Sequence, residues 1–142
     1  MTLFFDDCPD DVIEIVRIGR KLMDIDVSDN DVIIEYDYME YDDEALGYCT
    51  NFSEELGQTI ALNRRIYDCS VDMATVIAHE LVHVKQYQDK RLADAGPLQI
   101  VWKGEVFIFD AKNYHKPPWE AEAYGTQDFW AHKIRNRMND LH

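Results

Sequence analysis

The sequence predicts an α+β domain, on three observations. From Asp10 to Met23, Val12, Ile13, Ile15, Val16, Ile18 and Leu22 fall among charges at the spacing of an amphipathic helix, just after Pro9. Val32-Ile33-Ile34-Glu35-Tyr36 is β-branched and aromatic, the composition of a strand. From Val71 to Val84 the chain is largely apolar, with no Gly or Pro until Gly96, as in a central, mostly buried helix. With 142 residues, 46% of them hydrophobic, the chain is long enough for one domain, residues 1–142, with its own core.

The elements follow in order. After the first helix, Asp24 to Asp31 is a polar connection. The Val32–Tyr36 strand leads into an acidic loop, Asp37 to Glu44. Leu46–Phe52 and Gln58–Arg64 are two further strands, turned back on each other by Ser53-Glu54-Glu55-Leu56-Gly57. Ser70 and Asp72 are helix-start residues for a helix from about Val71 to about Leu92, which Ala95-Gly96-Pro97 stops. Leu98–Trp102 and Val106–Phe109 form a short hairpin around Lys103-Gly104-Glu105. An extended, Pro-rich stretch, Asn113 to Pro118, opens a last helix running from Trp119 to about Met138. Helix, small sheet, helix, hairpin and helix in this order make the α+β class.

The central helix carries His79-Glu80-Leu81-Val82-His83, an H-E-x-x-H motif. Residues four apart share one helix face, so both imidazoles can reach one metal ion. Neutral imidazole suits Zn²⁺. Glu80 is then beside the metal, where a carboxylate can take a proton from an activated water. A buried pair of imidazoles and a carboxylate is costly unless something satisfies it, and a metal does so.

Two His do not complete a catalytic zinc site, which needs three protein ligands. Beyond the motif stand His115, Glu120, Glu122 and His132. Glu120 is favoured because it begins a helix that can pack on the metal helix. Glu122 is turned roughly 200° around that helix, so both carboxylates do not serve one ion. His115, in a loop, remains an alternative, as does Glu122.

With Pro118-Trp119-Glu120-Ala121-Glu122-Ala123-Tyr124 following the H-E-x-x-H motif, residues of about 58–125 resemble a zincin metallopeptidase of the gluzincin type. They are most similar to the small single-domain metallopeptidases of bacteria and their phages. The resemblance implies a minimal zincin fold, with a small mixed or antiparallel sheet packed on the metal helix and on a C-terminal helix. It also implies His79, His83 and Glu120 as zinc ligands, since gluzincins place the ligand Glu three residues before an Ala, as Glu120 stands to Ala123. Glu80 is then the general base of peptide hydrolysis. Where E-x-x-A-D has Asp, this chain has Tyr124, one turn past Glu120. It can serve as an oxyanion donor or simply as a packing aromatic. Tyr114 and His115 are further candidates for that donor. The zincin likeness further implies a substrate-pairing edge strand, for which Gln58–Arg64 is the expectation.

Charge is unevenly spread. Residues 1–62 hold 17 Asp and Glu against 3 Lys and Arg, whereas residues 63–142 hold 11 of each. An acidic face of this kind repels nucleic acid and anionic membrane and attracts basic protein or peptide partners; it also serves solubility alone. Asp24, Asp26, Asp29 and Asp31 lack the Gly and closing Glu of an EF-hand loop. Cys8, Cys49 and Cys69 are odd in number and widely spaced, so they read as reduced, mostly buried thiols. Trp102, Trp119 and Trp130 read as core residues. The N-terminus lacks the pattern of a signal peptide and no apolar run spans a bilayer, so the expected location is cytoplasmic. The function expected is zinc-dependent peptide hydrolysis. The competing readings are a zincin-like module, weakly active or inactive, whose acidic face grips a basic partner, or an accessory protein whose site has decayed.

Overall fold

A computed structural model describes residues 3–28, 31–37, 46–53, 57–64, 72–96, 98–108 and 117–142. The fold is α+β, with three helices and two small sheets among the described residues. Tyr114, His115, Asp29, Cys69, Ser70, Val71, Pro97 and most of the Asp37–Glu44 and Asn113–Pro118 segments lie outside the described residues.

The chain opens on β1 (Leu3–Asp6), a strand absent from the sequence-based assignment, and continues into α1 (Asp10–Leu22) and β2 (Val32–Asp37). β1 and β2 are parallel, with Leu3 opposite Val32, so α1 is the crossover of a β-α-β unit. β3 (Gly47–Ser53) and β4 (Gly57–Asn63) pair antiparallel, and β4 also pairs with β2 in parallel, Ile34 opposite Ile60. The sheet order is therefore β1-β2-β4-β3. This corrects the expected edge: the Gln58–Arg64 strand is internal, and among the described residues β3 is the edge strand. All of β4 except Ala61 is buried, as a strand with neighbours on both sides requires.

α2 (Met73–Gln88) is the central helix, packed against α1, β3 and α3 (Pro118–Leu141). Ile77, Ala78, Leu81 and Val84 of α2 are fully buried with Val12 and Val16 of α1, Ile34 and Ile60 of the sheet, and Ile134 of α3. Asp72 caps the start of α2, its carboxylate accepting from Ala74 N–H. The helix stops at Gln88, four residues before the predicted end. Lys90 adopts a left-handed φ of 60°, and the Lys90 and Arg91 amides donate back to the Tyr87 and Gln86 carbonyls. This closes the helix as a Schellman turn without the usual glycine.

The freed residues form β5 (Leu92–Asp94), which joins β6 (Gln99–Trp102) and β7 (Glu105–Ile108) in an antiparallel sheet. Its inner face carries Leu92 and Trp102, which bury with Trp119 in a second apolar cluster. Trp119 thus seats the first turn of α3 on this sheet. Trp130 is partly buried against the main core. Among the described residues, no helix is long and apolar enough to cross a membrane.

Candidate metal centre

The α2–α3 interface brings together residues far apart in sequence. His79 and His83 lie one turn apart on α2, with their Nε2 atoms 3.2 Å apart. Pro117 and Pro118 start α3, the Glu120 and Ala121 amides donating to the Pro117 carbonyl. That start, anchored by Trp119, places Glu120 Oε1 2.5 Å from His83 Nε2 and 3.4 Å from His79 Nε2. Among the described residues, His79, His83 and Glu120 alone form a group of three or more His, Cys, Asp or Glu able to hold a metal ion. No such group forms from Asp24, Asp26 and Asp31; the Asp26 carboxylate instead accepts from Ser28.

The donor set fits a divalent ion. Ligand atoms about 2.1 Å from a tetrahedral zinc stand roughly 3.4 Å from one another. The His79–His83 and His79–Glu120 spacings already match that edge, and the His83–Glu120 contact has only to open. Electrostatics agree. Burial works to lower the His83 imidazole, but the Glu120 hydrogen bond, the Glu80 and Glu120 charges and the Gln86 bond lift it to about 9. Burial raises Glu120, yet the bonds from His79 and His83 hold it at about 2. The pocket favours a positive charge at the point where the three ligand atoms converge.

Glu80 is buried with its Oε1 4.0 Å from His79 Nε2. Among the described residues its Oε2 has no hydrogen-bond partner. Burial and the Glu120 charge push this carboxyl above its usual range, against the opposing pull of His83 and His79. Edge strand β3 runs close beside it, at Gly47. A Cβ there would stand 3.2 Å from Glu80 Cγ, so glycine permits the approach.

The remaining candidates separate clearly. Glu122 does not join the ligand cluster. Arg91 Nη1 clamps both its oxygens at 2.8 and 2.7 Å, and Gln86 Nε2 donates to it at 3.1 Å. His132 is exposed, beside the Asn136 amide at 3.2 Å. Tyr124 lies at the rim, 47% exposed, its ring centroid 4.6 Å from that of His79. Burial and the Glu120 and Glu80 charges hold its phenol protonated above the ordinary range.

Two polar neighbours of the ligands escaped sequence reasoning. Gln127 Oε1 lies 2.9 Å from His79 Nδ1, and Gln86 Oε1 lies 2.9 Å from His83 Nδ1. Helical spacing held the signal: Gln127 is two turns past Glu120 on the same face, and Gln86 is one turn past His83. In comparisons with known proteins, the chain matches no family model, no curated protein and no solved structure.

Proposed function

We propose that this chain is a zinc-dependent metallopeptidase of the zincin type, with His79, His83 and Glu120 as ligands and Glu80 as general base. The observation that carries the reading is Glu80 itself. A structural metal needs ligands but no extra carboxylate, and here a buried carboxylate oxygen beside the ligand cluster has no partner among the described residues. An attacking water is the group that would satisfy it.

When bound, zinc supplies a Lewis acid that polarises the scissile carbonyl and makes water acidic enough to attack near neutral pH. Glu80 takes the proton of the attacking water and returns it to the leaving amine. Its burial raises its basicity toward that task. The Tyr124 hydroxyl, kept protonated at the rim, donates to the oxyanion that develops on the carbonyl. β3, the edge strand among the described residues, would take an extended peptide by strand addition, holding the scissile bond beside Glu80. The acidic excess of residues 1–62 favours basic peptides or proteins as substrates.

One observation favours a second reading, that of a binding module with weak or no catalysis. The whole net negative charge lies in residues 1–62, outside the metal-ligand segment, and can grip a basic partner without hydrolysis.

The test compares wild type with Glu80→Gln for metal content and for cleavage of unfolded basic protein. The expected result is about one zinc per chain in both, with cleavage lower by roughly 10²–10⁴-fold in the variant. A folded wild type that takes up no zinc overturns the reading. Zinc uptake without cleavage that depends on Glu80 leaves the binding module.

A further inference from the structure

We infer that Gln86 is a positioning residue that sets two of the three metal ligands at once, orienting the His83 ring and locking the helical turn that carries Glu120. The inference rests on the metal-centre reading above.

Gln86 is fully buried. Its side-chain oxygen lies 2.9 Å from His83 Nδ1, and its nitrogen lies 3.0 Å from the Trp119 carbonyl and 3.1 Å from Glu122 Oε1. The surroundings leave the amide one orientation. Trp119 O and the Glu122 carboxylate are both acceptors, so the NH₂ must face them and the oxygen must face His83. His83 Nδ1 must then carry a hydrogen and donate it, which leaves Nε2 as the ligand atom pointing at Glu120 and His79. Arg91 fixes the far end by clamping both Glu122 oxygens. The tautomer of a ligand on α2 is thus set from α3 and from the turn after α2.

The same NH₂ group holds the carbonyl of Trp119, the residue just before Glu120. No other side chain of this length both accepts from the imidazole and donates twice to α3. Asn is too short, and Glu cannot donate. Metal ligation by His83 and by Glu120 is therefore registered through one amide, whose oxygen meets His83 Nδ1.

The test measures Zn²⁺ affinity by competition with a chromophoric chelator, alongside thermal unfolding, for the full chain as wild type, Gln86→Met and Gln86→Glu. Gln86→Met keeps the volume and loses every hydrogen bond, and is expected to bind zinc 10–100-fold more weakly, as loss of an outer-shell partner does. Gln86→Glu still accepts from His83 but loses both bonds to α3, and is expected to bind zinc about 3–10-fold more weakly than wild type, yet more tightly than Gln86→Met. It nevertheless unfolds at a lower temperature than Gln86→Met, because its carboxylate faces Glu122 and the Trp119 carbonyl. Affinity and stability thus rank the variants in opposite orders, which a role confined to packing does not produce. Gln86→Met binding zinc like wild type, or Gln86→Glu binding it more weakly than Gln86→Met, overturns the inference alone. A folded wild type that binds no zinc overturns the metal centre as well.

Discussion

Glu120 Oε1 lies 2.5 Å from His83 Nε2, across the interface of the central and C-terminal helices. Glu122, two residues on, is held by Arg91 on the other side of that interface. Two glutamates of one motif, separated by Ala121, therefore meet different partners. Glu120→Ala is expected to weaken zinc binding at least 100-fold, and Glu122→Ala by about tenfold through the supporting network. Chelator competition checks both; equal losses would contradict the ligand assignment.

Tyr124 gives a sharper test of catalysis than of binding. Tyr124→Phe keeps the ring against His79 and removes the hydroxyl. Zinc affinity should stay unchanged while kcat falls roughly 10–100-fold, the effect of losing one oxyanion donor. An unchanged kcat would make Tyr124 a packing residue.

Gly47→Ala probes the approach of β3 to Glu80, the proposed general base. The new methyl would meet Glu80 Cγ at 3.2 Å and Leu62 Cδ2 at 3.4 Å. A displaced base with intact ligands should lower kcat about tenfold while leaving zinc content at the wild-type level. Steady-state kinetics with metal analysis decides it.

Two glycines should respond to alanine with opposite signs. At Gly19 a Cβ would stand 2.6 Å from Leu81 Cδ1 and 3.1 Å from Ile134 Cδ1, both in fully buried side chains. Overpacking of this kind costs about 1–3 kcal/mol, more than the helix-propensity gain of up to about 1 kcal/mol. At Gly125, within the C-terminal helix, a Cβ meets nothing within 4 Å, so only the propensity gain remains. Denaturant unfolding should show Gly19→Ala less stable than wild type and Gly125→Ala more stable.

Cys8 supplies a pH test away from the metal centre. Burial, with the charges of Asp6 and Asp7, raises its thiol to about 11, against the lowering effect of a backbone hydrogen bond at Asp6. Alkylation of Cys8 at pH 8 should be roughly 100-fold slower than in the unfolded chain, rising about tenfold per pH unit toward 11. The folded thiol ionises later than the unfolded one, whose reference value is 9.0. Its stabilising contribution is thus fully present below about 9 and is lost as pH rises through 11. Equal native and unfolded rates at pH 8 would contradict this.

The grouping of His79, His83 and Glu120 was partly readable because helices have a fixed period. His79 and His83 share a face by spacing alone, whereas Glu120 rests on its place at the start of a packing helix and on the gluzincin likeness, which leave Glu122 and His115 as alternatives. Strand order was not readable, because it depends on contacts between distant segments. Only the parallel pairing of Ile34 with Ile60 makes Gln58–Asn63 internal. β1 was missed because Leu3-Phe4-Phe5 is too short to show a period. The early end of the central helix was hidden because Lys90, rather than a glycine, takes the left-handed position.

The ligand cluster straddles two helices, so the complete set exists only while those helices are docked. By mass action, a divalent ion at 100 times its Kd adds about 2.7 kcal/mol to the folded state. That is a sizeable share of a typical domain's stability. On the proposed metal-centre reading, the metal-free chain opens this interface more often and offers more unfolded backbone to proteolysis. On that reading the chain's own lifetime is tied to the metal supply around it.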